Sequence, residues 1–218
     1  MKNVLLSAMV LLAFGVTNAQ QVKFGVKAGV NLATFNGDAV NSDITMKAGI
    51  HAGGLVELKF TDKLALQPEL LFSMQGAKIV DEGFDTTNNV TFRDEFKRDL
   101  TYVNIPVMLK YYPIGGFFLE GGPQAGFLLS AKSKNESTET DAAGNLTRSS
   151  TETDVKDFYK SVDFAFNLGL GYDFTQNWFA GARYSIGLSN IDDLGGQYGI
   201  YEVDRKNSVL SFSVGYKF

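Results

Sequence analysis

The chain has no cysteine, one histidine and only four prolines among its 218 residues. The missing thiols exclude disulfides and thiolate chemistry. With His51 as the sole imidazole, no zinc-type ligand pattern remains, and no segment has the spacing of a calcium loop. After the first twenty residues no apolar run reaches the ~20 residues of a membrane-crossing helix. Basic residues number 20 against 24 acidic ones and are scattered among them, so the basic patch of a nucleic-acid binder is lacking. Gly121-Gly122 and Gly169-x-Gly171 lie in strand-like surroundings with no helix after them, which excludes a dinucleotide fingerprint.

What the chain does have begins at its first residues. Lys2 precedes an apolar stretch from Val4 to Val16, and small residues follow up to Ala19. That order reads as a secretory signal peptide cut after Ala19, giving a leader over residues 1–19 and one domain over 20–218. An uncleaved anchor is the alternative, but the run is short for a span. Without Lys2 the mature chain carries 19 basic and 24 acidic residues. Its 23 glycines, 18 phenylalanines and 9 tyrosines suit a curved sheet of aromatic-rich strands.

Alternation with a period of two runs through almost the whole domain. Val22, Phe24, Val26, Ala28 and Val30 share one face, with Lys23, Lys27 and Asn31 on the other. A strand sends successive side chains to opposite faces, so this is a strand with one apolar side. The pattern repeats near residues 47–60, 64–76, 100–112, 116–131, 159–174, 178–189 and 210–218. Pro106 sits awkwardly in the fourth, since proline has no donor for a ladder. Eight strands emerge, and no interval offers a crossover helix.

Connector lengths favour a membrane over a soluble sandwich or ligand-carrying barrel. Short turns fall near residues 61–63, 113–115 and 175–177. Long loops are expected over 34–46, 78–98, 132–158 and 190–206. Short turns on one side, long loops on the other and strands of spanning length describe an all-β, eight-stranded antiparallel transmembrane β-barrel. Open strand edges in hydrocarbon would cost several kcal/mol per group, so the sheet must close. The short turns and both termini are expected in the periplasm, and the long loops outside.

The segments Phe24-Gly25-Val26-Lys27-Ala28-Gly29-Val30-Asn31, Tyr102-Val103-Asn104-Ile105-Pro106-Val107, Leu119-Glu120-Gly121-Gly122-Pro123 and Arg183-Tyr184-Ser185-Ile186-Gly187-Leu188 carry a resemblance. Together they resemble the outer-membrane β-barrel domain family common in Bacteroidetes, which includes porin-family and PorT-like members, over essentially all of the mature chain. The alternating end, Leu210, Phe212, Val214, Tyr216 and Phe218, resembles the signal read by the barrel-assembly machinery. The resemblance implies a Gram-negative outer membrane, lipids as surroundings and that machinery as a partner during insertion. It implies no uniform activity, because one fold carries many functions.

On the polar face the charged residues are Lys23, Lys27, His51, Glu57, Lys59, Glu69, Lys110, Glu120, Asp163, Arg183 and Lys217. An eight-stranded barrel is just wide enough for side chains, so these are expected to form a lumen network, with Glu69, Glu120 and Arg183 at its centre and His51, Glu57 and Lys110 around them. A selectivity-lined channel is the functional alternative. No nucleophile–base pattern supports an enzyme; a lipid-modifying activity is the distant third reading. Asp192-Asp193 reads as solvated loop rather than a cation site. Tyr111, Tyr112, Tyr172, Trp178, Tyr184, Tyr216 and Phe218 are expected as lipid-facing or interfacial anchors. The expected assembly is a monomer without cofactor. Its leading function is envelope support or surface recognition of an unidentified partner, through the mobile-loop candidate over residues 132–158.

Overall fold

The computed structural model describes residues 21–37, 44–86, 90–141, 143–193 and 205–218. The expected leader over residues 1–19 lies outside them. Among the described residues nine antiparallel strands occur in the order β1 (Gln21–Asn36), β2 (Ile44–Lys59), β3 (Leu64–Asp85), β4 (Val90–Ile114), β5 (Phe117–Thr140), β6 (Leu146–Asp154), β7 (Val162–Asp173), β8 (Trp178–Gly187) and β9 (Lys206–Lys217). A 3-10 turn over Lys156–Phe158 precedes β7.

Eight of the strands close a ring. Neighbours pair in the order β4-β3-β2-β1-β9-β8-β7-β5, and β4 with β5 completes the circle. The closing pair of first and last strands runs from Gly25 opposite Lys217 to Asn36 opposite Lys206. The side-chain distribution is inverted relative to a soluble domain. Lys27, Glu57, Glu69, Lys110, Arg183 and Lys217 are buried inside, while Phe24, Leu70, Leu109, Leu168 and Val214 are exposed on the outer wall. An apolar wall around a polar interior is stable only in hydrocarbon, where closure also leaves no unpaired backbone.

Pro106 is accommodated by the ladder itself. It pairs with Gln124 on β5, and on its other side the β3–β4 ladder is interrupted between Pro68–Val107 and Leu71–Asn104. Its missing donor therefore falls where the ladder is already broken.

Two expected loops are instead sheet. Residues 78–98 contain the end of β3 and the start of β4, paired from Lys78–Lys97 to Asp85–Val90. Residues 132–158 contain the end of β5 and all of β6, paired from Lys132–Asp154 to Thr140–Leu146. β3, β4 and β5 thus run to 22, 25 and 24 residues, against 10 in β8. At ~3.3 Å per residue β4 is about 80 Å long, well beyond the ~30 Å hydrocarbon layer at any ordinary tilt. The four strands β3-β4-β5-β6 continue one side of the wall as an open sheet. Alternation had marked only the apolar parts of these strands. In the extension both faces meet water, so the period in hydropathy disappears while the pairing persists.

The change from ring to open sheet occurs at one level. There β2 shifts register between Met46 and His51, and the β4–β5 register slips between Thr101 and Tyr102. Gly76, opposite Asp99, lies at the same level with φ +129°, and a Cβ there would sit 1.8 Å from the Arg98 carbonyl oxygen. Only glycine tolerates that backbone and that approach. The β5–β6 turn is built by Asp141, whose carboxylate accepts from the Ala143 and Asn145 amides at 2.9 and 2.8 Å, with Gly144 at φ +82°. A Gly-Asn pair at residues 144 and 145 suits such a tight connection between two paired strands.

Candidate functional site

Inside the ring the polar side chains are stacked in connected layers. At mid-height Arg183 of β8 donates from Nη1 and Nη2 to both oxygens of Glu69 on β3, at 3.0 and 2.8 Å. Its Nε donates to Glu120 of β5 at 2.7 Å. In the ring order β3 and β8 are four places apart, so this fork spans the full diameter. Lys27 of β1 donates to Glu69 at 3.1 Å, closing a four-charge group with two positive and two negative members. A planar guanidinium matches carboxylates in two directions at once, which is why arginine occupies this centre.

A second layer lies toward the chain termini. Lys217 donates to Glu57 at 3.0 Å and to Asp173 at 2.8 Å, joining β2 to β7, also four places apart. Lys110 lies 3.4 Å from Glu57, and the Tyr112 hydroxyl donates to Glu57 at 2.9 Å. The Lys110 ammonium rests 3.7 Å from the centroid of Phe118. Gln67 links the layers, accepting from Lys110 at 3.0 Å and donating to Glu69 at 2.7 Å.

Toward the extension, His51 is held by Asn31 and Ser213 at 2.8 and 2.9 Å. The Asn31 oxygen can only accept, so His51 Nδ1 donates to it and Nε2 accepts from the Ser213 hydroxyl. Above these, Asn207 of β9 donates to Tyr102 of β4 and to Asp163 of β7, at 3.2 and 2.8 Å. β9 and β4 are again opposite members of the ring. Apolar side chains close both ends of this column. Leu55, Ala65, Tyr112, Phe118 and Phe179 cluster on the terminus side, and Phe35, Leu100, Tyr102, Leu128, Tyr159 and Ile191 on the extension side.

The six residues expected in the lumen are therefore divided between layers: Glu69, Glu120 and Arg183 meet directly, Glu57 and Lys110 sit together below them, and His51 sits above. Lys27, Gln67, Asn31, Tyr112 and Lys217 complete the contacts. The uncharged Gln67 carried no signal in a reading based on charge. Tyr112 corrects an expectation: it is buried inside, whereas Tyr111, one residue away, is exposed on the outer wall. Neighbours on a strand cannot both face lipid, and Tyr112 falls in the phase of Lys110. Asp192 is a second correction. It is buried rather than solvated, bridges Tyr159, and pairs with Arg205 at 3.4 Å. Lys23 and Lys59 lie at the rim, where Lys23 donates to the Gln176 carbonyl and Lys59 caps the Tyr112 ring. Among the described residues no group of three acidic or histidine side chains is placed to hold a metal ion.

The outer wall carries Phe212, Val214 and Phe218 exposed, with Leu210 and Tyr216 half-buried. Trp178, Tyr216 and Phe218 form an edge-to-face chain of rings at 5.1 and 5.4 Å. The Phe218 amide donates to the Phe24 carbonyl at 2.7 Å, so the last residue is tied to the first strand.

The extension has different chemistry. One face is a ladder of opposite charges across strands: Lys47–Asp99 at 2.8 Å, Lys97–Glu136 at 2.9 Å and Lys134–Glu152 at 3.1 Å, with Arg93 on Glu82 farther out. The Lys132 and Lys134 ammoniums beside Glu152 hold its carboxyl below the usual range, and Glu136 raises Lys97. Every residue of β6 is exposed.

The profile of the outer membrane protein beta-barrel domain family matches residues 18–193. No curated protein matches the chain. Among solved structures, similarity is found to Ail of Yersinia pestis, in complex with the heparin analogue sucrose octasulfate, at 14% identity and TM-score 0.45, covering 91% of this chain and all of that one. Neisserial surface protein A gives 14% identity and TM-score 0.42 over 91% and 100% of the two chains. OprG of Pseudomonas aeruginosa gives 15% and 0.38 over 93% and 99%. With the family profile spanning most of its length and its own strands closed around a polar lumen, the chain belongs to the outer membrane protein beta-barrel domain family.

Proposed function

We propose that this protein is a surface-recognition scaffold: a side-chain-filled barrel in the outer membrane that holds an open β-sheet out in the medium. The observation that carries this reading is the continuation of β3, β4 and β5 past the ring into a four-stranded sheet ending on the fully exposed β6. The lumen layers support it against the channel alternative, since each crosses the barrel between opposite strands and occupies the path a solute would take. No catalytic role is assigned: the layered lumen side chains hold one another, and only one oxygen each of Asp173 and Asp192 is buried without a hydrogen-bond partner among the described residues. The local segments quoted above favour a place in the Bacteroidetes branch of the family. A leader cut after Ala19 and insertion by the assembly machinery through Phe218 complete the reading. The periplasmic end is that of the termini and short turns.

The test joins orientation, conductance and binding. Cysteine placed at Ser137 is expected to react with a membrane-impermeant reagent on intact cells, and cysteine at Asp62 is not; the absence of native thiols makes both signals specific. Purified protein in a planar bilayer is expected to stay silent. Shortening the sheet to a turn after Ala131 should leave insertion intact and abolish capture of surface material by whole cells. Steady conductance whose ion selectivity follows replacement of Arg183 would favour the channel reading instead.

A further inference from the structure

The last strand of the extension has a free edge, and its sequence specifies what fits there. Among the described residues β6 pairs only with β5, so the other side of Leu146–Asp154 presents unpaired backbone donors and acceptors. Natural edges are usually blunted by charged side chains, proline, bulges or cover, and of these β6 carries the charges Arg148, Glu152 and Asp154. β6 has no proline and no register break over its nine residues. The chemical complement of such an edge is another strand.

The side chains choose which strand. Along Thr147-Arg148-Ser149-Ser150-Thr151-Glu152-Thr153 the chemistry is palindromic about Ser150. Set antiparallel against a copy of itself, the segment places Arg148 opposite Glu152 twice, Thr147 opposite Thr153 twice and Ser149 opposite Thr151 twice. Parallel in-register pairing would set arginine on arginine and glutamate on glutamate. Opposite charges across strands stabilise and like charges directly opposite destabilise, so the pattern selects the antiparallel self-pair. Arg148 has no ion-pair partner among the described residues, so its charge is available for this contact.

Symmetry then fixes where the second copy is. The two-fold axis of an antiparallel strand pair is perpendicular to the sheet. Here the sheet continues the barrel wall, so that axis lies parallel to the membrane plane and inverts the partner barrel. We infer that β6 is a self-complementary adhesive edge which pairs with β6 of a second copy standing on a facing membrane, through an antiparallel contact centred on Ser150. This rests on the surface-scaffold reading and names its partner. Within one membrane the chain remains a monomer. A single edge buries far less than a standard interface and is weak alone, but many copies on two facing surfaces add their contacts.

The test uses full-length protein in two populations of liposomes carrying different dyes, with outward orientation checked by labelling at position 137. Wild-type vesicles are expected to cluster across populations, and the clustering to weaken at high salt. R148E alone and E152R alone each replace attraction by repulsion at the two-fold contact and should reduce clustering about tenfold. Vesicles bearing R148E mixed with vesicles bearing E152R regain complementary pairs and should cluster only with each other. Ser150→Cys, in otherwise native protein, should be joined by a short bis-maleimide between the two dye populations. Clustering that is absent in the wild type, unchanged by R148E, or not restored in the mixture overturns the self-pair. Cross-links confined to single vesicles overturn the facing-membrane arrangement. Failure of the mixture with position 137 still surface-accessible removes only this partner, whereas loss of that accessibility removes the scaffold reading as well.

Discussion

The barrel interior and the projecting sheet are both laced with ion pairs, yet the same pairing has different consequences in the two places. Arg183 and Glu69 sit at 6% and 4% exposure in a cross-section packed with side chains, and the Glu120 side chain is only 7% exposed, so a charge that loses its partner there is poorly placed to gain a hydration shell. Lys134, Glu152, Arg93 and Glu82 form equally close pairs on a surface where water stands ready to replace either partner. The interior network therefore matters through what its loss leaves behind, while the surface ladder mainly sets which charges face one another.

The largest effect that would test this contrast is expected from Arg183→Met. Glu69 and Glu120 would stay buried with Lys27 as the one cation still bonded to the pair, and the barrel should lose about 3–5 kcal/mol in reversible unfolding from detergent. A neutral result would place water in the lumen and weaken the distinction. Next comes Tyr112→Phe, which removes one donor to the Glu57 carboxylate but leaves Lys217 and Lys110 beside it. A loss of about 1.5–3 kcal/mol is expected in the same assay, the range for hydrogen bonds to charged groups. If Tyr112 instead faced lipid, the change would be close to neutral.

The border between the regions gives a sharper comparison. Gly76→Val puts a Cβ against the Arg98 carbonyl at a left-handed φ, a local strain of about 1–3 kcal/mol. It should open the extension to protease while the ring keeps its unfolding midpoint; a matching fall in both would show that ring and sheet are one cooperative unit. The smallest effect is expected from Glu152→Gln, which should leave the midpoint unchanged. In a single copy, protection of β6 amides against hydrogen exchange should carry its signature. Because Lys132 and Lys134 hold the Glu152 carboxyl below its ordinary value, its contribution is present above the unfolded value and disappears as pH falls through the lower folded one. Glu152→Gln should therefore reduce the acid sensitivity of that protection, leaving the part carried by the Asp141 carboxylate in the β5–β6 turn, and an unchanged pH profile would assign all of it to other groups.

How much could be read beforehand follows the same division. Inside the membrane each strand has one lipid face and one polar face, so alternation exposed the strand and assigned Lys27, Glu57, Glu69, Lys110, Glu120 and Arg183 to one side. In the projecting sheet neither face is apolar. Residues such as Ser133-Lys134-Asn135-Glu136 and Thr147–Thr153 then look like loop although they pair in register. Tyr112 was misread because aromatic composition suggested an interfacial anchor while its phase with Lys110 placed it inside.

By itself the sequence determined the period, the eight spanning segments and the inverted partition of polar and apolar side chains, because those depend only on neighbours one and two positions away. The tertiary structure alone decided which charges meet. Arg183 reaches Glu69 across 114 positions of chain, through a register set by four ladders on either side and closure of the ring. It also decided that β6 ends a sheet rather than completing a ring, since β5 turns to β7 for its barrel neighbour and to β6 only beyond Ala131. Strand pairing is a long-range backbone contact, and no local pattern records which edge is left without a partner.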